Sequence, residues 1–327
     1  SGNQPTTMNK QIYPLLVAQF LSAFADNAIL FTVIAMVMRS HDLASWYVPA
    51  LQSAFLVAFV VLAPWVGGFA DNHAKSRVLI IGNLIKAAGA GLLLSKIEPL
   101  VAYGIVGIGA AIYSPAKYGI LPELAEHQLL VKANSWIEGS SILAILLGMM
   151  VGAKLADYSI LFALSLTIAL YIASACITLF LPVRIAKSES TSSQIVEFGK
   201  QIGQFLVTRR TRFAILGASL FWATAATLRV IIVAWAPLVL MSKNATEIAN
   251  LTLFLAIGII AGSAIVPRLI PLEHLRRVRI PGYIMSLFIV FLSLTTELMS
   301  ARCMLFVIGT MGGIFIVPVN AALQELG

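Results

Sequence analysis

The chain has 327 residues, 59% hydrophobic and 11% charged, with a formal net charge of +8. A soluble domain carries roughly 25% charged residues, so this composition excludes an ordinary water-soluble fold and defines a polytopic membrane protein. The basic residues lie in short loops between apolar runs, where they orient spans, so the positive charge is not a nucleic-acid footprint.

Ten runs are apolar and long enough to span: about 12–38, 46–69, 77–95, 99–121, 130–153, 158–181, 213–240, 246–267, 280–296 and 301–323. A span needs about 20 residues at 1.5 Å rise each. Gly and Pro interrupt several of the runs, which membrane helices tolerate. The start at Ser1-Gly2 looks like a processed tag, with Met8 a plausible natural start. With the N-terminus in the cytoplasm, Lys10, Lys75, Arg77, Lys132, Arg184, Lys187, Lys200, Arg209, Arg210, Arg212, Arg268, Arg276, Arg277 and Arg279 fall on that side. Only Arg39, Lys96, Lys154, Lys243 and Arg302 fall on the other, and this bias sets the topology.

In the first run an ionisable Asp26 sits near the centre, where inserting a carboxylate costs at least ~2.5 kcal/mol. Gln19, Ser22 and Asp26 stand at i, i+3 and i+7 and share one helix face. Lipid cannot satisfy such a stripe, so it must look at protein or water. Four more ionisable residues lie inside spans: Lys86, Lys117, Glu138 and Arg229. Asp26 and Arg229 are each about 25 Å from the cytoplasmic side by helix rise. A binding site near the midplane at the junction of two repeats is the usual transporter arrangement. Lys117 has Tyr113 one turn earlier and lies close enough to the helix end to snorkel. Glu138 shares a face with Asn134 and Ser141, and Lys86 lies one turn from Asn83, where it could balance a carboxylate.

Residues 183–212 form the longest loop and the boundary between halves. Ile195, Phe198, Ile202, Phe205 and Leu206 recur there at helical spacing beside Lys200, Arg209 and Arg210, the pattern of an amphipathic helix on the membrane surface. The division is therefore an N-terminal six-helix bundle (1–182), a cytoplasmic linker with its helix (183–212), and a C-terminal bundle of four helices (213–327). The halves look related: Ala18-Gln19-Phe20-Leu21-Ser22-Ala23 precedes Ala218-Ser219-Leu220-Phe221-Trp222-Ala223, and Gly109-x5-Pro115 echoes Gly312-x5-Pro318. A parallel repeat of six spans implies twelve, so two further helices are expected beyond the tenth run.

Gly67-Gly68-Phe69-Ala70-Asp71-Asn72-His73-Ala74-Lys75-Ser76-Arg77, between the second and third runs, resembles the loop signature of the major facilitator superfamily. Gly67, Asp71, Lys75 and Arg77 fit it; Asn72 and Ala74 depart from the usual Arg and Gly. The resemblance implies conformational gating, with the charged positions bridging helix ends. Longer stretches, among them Val17–Ala28, Ala110–Leu121, Leu220-Phe221-Trp222 with Thr227-Leu228-Arg229, and Pro318–Glu325, look like the bacterial lysophospholipid transporter family of that superfamily.

That likeness implies a major facilitator fold of two six-helix bundles, the second lacking its last two helices here. It also implies inward flipping of lysophosphatidylethanolamine or lysophosphatidylglycerol across the bacterial inner membrane by alternating access. A cytoplasmic-face acyltransferase/acyl-ACP synthetase would then reacylate the lipid. A lysophosphatidylethanolamine head group has a phosphate, which Arg229 can grip as a planar fork, and an ammonium, from which Asp26 can accept. Lys117, with Tyr113 one turn earlier, offers a second positive charge; Glu138 and Lys86 are further head-group candidates, and Phe24 and Trp222 candidates for the acyl chain. An ion pair of Asp26 with Arg229 that only joins the halves is the alternative use of those charges. Gly148-x3-Gly152 and Gly258-x3-Gly262 permit close backbone approach, and in this fold the fifth and eighth helices meet across the halves, so the two stripes are expected to face each other.

Two other function classes compete. A proton-coupled facilitator exporting small amphipathic or cationic compounds would use Asp26 as its proton carrier. A membrane enzyme fits poorly, because His41, His73, His127 and His274 show no acyltransferase pairing with Asp. No metal cluster, Gly-rich phosphate loop or cofactor is indicated, and Cys176 and Cys303 read as small hydrophobes.

Overall fold

The computed structural model describes residues 10–40, 46–125, 130–184, 194–241, 244–269, 275 and 277–324. Among the described residues the regular elements are helices, and the chain divides into two compact units, residues 1–195 and 196–327. The division falls inside the 183–212 segment.

The first unit begins with α1 (Ile12–Arg39), α2 (Tyr47–Asn72), α3 (Lys75–Leu94) and α4 (Pro99–Gly119). A one-turn α5 (Leu121–Leu124), then α6 (Leu130–Tyr158) and α7 (Ile160–Thr178), complete it. Helix starts are set locally. Glu98 caps α4 by accepting from Val101 N at 3.2 Å, with Pro99 in the first turn, where its missing N–H costs nothing. Ser159 caps α7 by accepting from Phe162 N at 3.2 Å. At the far end of α6, Arg39 donates to the carbonyls of Ala156 (2.9 Å) and Asp157 (2.5 Å), satisfying helix-end acceptors with a cation. Within the unit α1 packs on α6 and α7, α3 on α4 and α7, and α2 on α4.

α8 (Gln194–Phe205) straddles the division; Ile195, Val196 and Ile202 on it are exposed. The second unit continues with α9 (Arg209–Val239), α10 (Ala245–Leu269), α11 (Arg279–Ser293) and α12 (Leu298–Gln324). Here α10, α11 and α9 all pack on α12. The second and third membrane helices of each unit thus both lie against the fourth, the packing counterpart of the sequence repeat.

Among the described residues nine helices are long and apolar enough to cross a membrane. The ninth sequence run differs from expectation. It forms only the 15 residues of α11, because Thr295, Thr296 and Glu297 break the apolar run beyond it. Fifteen residues at 1.5 Å each fall short of the ~30 Å hydrocarbon core.

The glycine stripes are also placed differently from expectation. A Cβ on Gly148 would meet the backbone of Phe24, and one on Gly152 would meet Ala28, so this stripe holds α6 against α1. A Cβ on Gly258 or Gly262 would strike the backbone of α12 at Phe306 or Thr310. Each stripe is therefore filled by a helix of its own unit, and the expected meeting of the two stripes gives way to this packing. The reason is physical: a Gly-x3-Gly face takes any backbone that can come close, and the repeat supplies one inside each unit.

Candidate functional site

The polar stripe of α1 is fully engaged inside the first unit. Gln19 reaches α6, donating to Ser140 Oγ and accepting from Ser141 Oγ at 2.9 Å. Ser22 donates to Asn83 Oδ1 of α3 at 2.7 Å. Asp26 is gripped through both oxygens: Lys86 Nζ of α3 is 3.0 Å from Oδ2, and Tyr171 of α7 donates to Oδ1 at 2.7 Å.

Lys86 has a side chain only 1% exposed, whereas that of Asp26 is 23% exposed. The ammonium also donates to Ser22 Oγ at 2.9 Å and sits 4.3 Å from the centre of the Tyr113 ring. Its three N–H directions therefore meet a carboxylate, a hydroxyl and an aromatic face. A donor chain runs on from it. Ser22 donates to Asn83, whose amide donates to Ser174 Oγ at 2.9 Å, and Ser174 donates to the carbonyl of Ala18 at 2.5 Å. Each member accepts from one neighbour and donates to the next, so the chain polarises in one direction. A buried ion pair of this kind holds only when its remaining donors and acceptors are met, and here they are.

Other sequence-derived candidates lie apart from this cluster. Lys117 is half-buried near the end of α4, 4.7 Å from the centre of the Tyr118 ring. Phe24 is half-buried, its ring 6.3 Å from that of Phe20. Trp222 is 59% exposed and stands edge-on to Phe221. Arg229 is half-buried on α9 of the second unit, so it and Asp26 belong to different units. The side chain of Glu138 lies outside the described residues. In the α2–α3 loop Asp71 and Arg77 are exposed, Gly67 has open space around it, and Lys75 reaches Glu123 of α5 at 3.8 Å.

Tyr171 and Ser174 carry much of the cluster, and sequence reasoning does not single them out. A signal for them exists: Thr167, Tyr171, Ser174 and Thr178 fall at spacings of 4, 3 and 4 in an otherwise apolar run, and all four are buried. In the second unit, a cavity of about 570 Å³ is bounded by α9, α11 and Phe315, with Arg209, Arg212 and Arg279 among its lining residues. In the first unit α1 and α3 both pack on α7.

Described helices of spanning length, with an ion pair held in the interior of one unit, define a multi-pass membrane protein. Residues 15–327 match the family model of the Major Facilitator Superfamily, and the chain belongs to that superfamily. It is 40% identical over 324 residues to the lysophospholipid transporter LplT of Escherichia fergusonii, covering 98% of this chain and 81% of the relative. It is 38% identical over 325 residues to the protein of the same name from Serratia proteamaculans, again over 98% and 81%. Among solved structures it is similar to a point mutant of the nucleoside transporter NupG, with a TM-score of 0.72, 15% identity, and 97% and 86% of the two chains covered. The outward conformation of FucP gives a TM-score of 0.61 at 14% identity over 96% and 89%. At such identity these two describe the fold alone.

Proposed function

We propose that the chain carries lysophospholipids across the membrane by alternating access. The observation that carries this reading is the 40% identity, over 98% of the chain, to a protein named as a lysophospholipid transporter. The cluster around Asp26 supports it, because a polar lipid head group crossing the bilayer needs charged partners away from lipid. In this reading Asp26 offers its exposed edge to the ammonium of lysophosphatidylethanolamine, and Arg229 holds the phosphate. Lys117 and Glu138 serve the head group nearer the cytoplasmic end, while Phe24 and Trp222 meet the acyl chain. Tyr113 and Lys86 stand behind Asp26. Gly67, Asp71, Lys75 and Arg77 form the gate on the cytoplasmic side.

The finer reading is inward flipping of lysophosphatidylethanolamine and lysophosphatidylglycerol across the bacterial inner membrane, with the N-terminus cytoplasmic. The product then meets a cytoplasmic-face acyltransferase/acyl-ACP synthetase. The N-terminal placement follows the loop charge bias. The test is lysophosphatidylethanolamine flipping in proteoliposomes by wild type, Asp26→Ala and Arg229→Ala. Transport by wild type, with loss in both variants, is expected. Unchanged flipping in both variants overturns the site, and no flipping by wild type overturns the substrate in favour of export of another compound.

A further inference from the structure

We infer that Lys86 and Tyr171 act behind Asp26 as a fixed counter-charge and clamp, and that Lys86 thereby sets how the site discriminates between lysophospholipid head groups by charge. This rests on the lysophospholipid reading given above. Lys86 is not itself placed to meet a substrate: its side chain is 1% exposed and its donors are spent on Asp26, Ser22 and the Tyr113 ring. Asp26 retains an accessible edge, 23% of its side chain, although both its oxygens are held. Held from two helices, the carboxylate keeps one orientation. The two charges lie 3.0 Å apart and cancel, so a head group nearing Asp26 meets a close dipole instead of a bare anion. Zwitterionic and anionic lysolipids can then approach the same carboxylate. Without Lys86 the anionic one is repelled by a full unit charge, while the zwitterion's ammonium still compensates its phosphate.

Tyr171 has a different part. It fixes Oδ1 without adding charge, so it is a positioning residue that should govern affinity but not charge preference.

The experiment measures uptake of lysophosphatidylethanolamine and lysophosphatidylglycerol by the full chain in proteoliposomes, for wild type, Lys86→Met, Asp26→Asn, Asp26→Asn/Lys86→Met and Tyr171→Phe. Lys86→Met should lower the anionic lipid at least tenfold more than the zwitterionic one, the scale of one uncompensated charge even at about 12 Å and an effective dielectric of ~20. Asp26→Asn should favour the anionic lipid relative to the double variant. Those two lack the carboxylate alike and differ only in the Lys86 charge; they are compared by equilibrium binding of the two lipids to the detergent-solubilised protein, which needs no transport, so they carry the test even where Lys86→Met does not reconstitute. Tyr171→Phe should raise KM for both lipids with their ratio unchanged. Wild type moving both lipids, with the ratio the same in every variant, overturns this inference alone. Wild type moving neither overturns the transport reading and this inference with it.

Discussion

The hydroxyl of Tyr171 lies 2.7 Å from Oδ1 of Asp26, on the carboxylate oxygen that Lys86 does not take. A phenol donating to a charged, partly buried acceptor contributes more than an ordinary hydrogen bond. Tyr171→Phe should therefore cost about 1.5–3 kcal/mol of stability, read from denaturation of the detergent-solubilised protein. A change below ~0.5 kcal/mol would mean that the bond is not formed.

Removing one partner of the ion pair is costlier. Asp26→Asn leaves the Lys86 ammonium buried without its counter-charge and should destabilise by about 3–5 kcal/mol. Asp26→Asn/Lys86→Met removes both charges and should recover most of that loss, because a neutral pair leaves no stranded ion. A loss in the double variant equal to the sum of the Asp26→Asn and Lys86→Met losses, measured by thermal unfolding, would show that the pair contributes no coupling.

The glycines separate packing from gating. Gly262→Val drives side-chain carbons into the Thr310 backbone and should cost about 1–3 kcal/mol or more, seen as a lower unfolding midpoint. Gly67→Ala meets nothing within 4 Å and should leave stability within about 0.5 kcal/mol. Altered transport by Gly67→Ala at unchanged stability would then report on the gate itself.

Lys75 and Glu123 are 3.8 Å apart, with side chains 18% and 24% exposed. A pair so open to solvent should show a coupling energy under about 1 kcal/mol in a double-mutant cycle on stability. Its weight in gating is read separately: charge reversal at Lys75 should slow transport, and reversal at both positions should restore it. Failure of the double reversal would remove Glu123 as the partner that matters.

The helices were legible because a bilayer imposes length and apolarity on every span, and those appear directly in composition. Asp26 and Lys86 stood out for the same reason, as charges where lipid tolerates none. Their pairing was less legible. Several intramembrane charges were available, and which two meet depends on how helices are arranged, not on depth along each one. Tyr171 was hidden because a tyrosine in an apolar run reads as bulk until its 4-3-4 companions are counted. The glycine stripes misled in the same way: small residues announce a close contact but do not name the partner. The break that shortens α11 was present in the sequence at Thr295, Thr296 and Glu297, inside or beside a run still apolar on average.

The contact between α10 and α12 has a mechanical consequence. At Gly258 and Gly262 the two backbones touch with no side chain between them, so neither rod can slide or roll without first prising apart from the other. Motion in that half of the protein must therefore carry both as one stiff strut, and any bending has to be absorbed elsewhere along its helices and connectors.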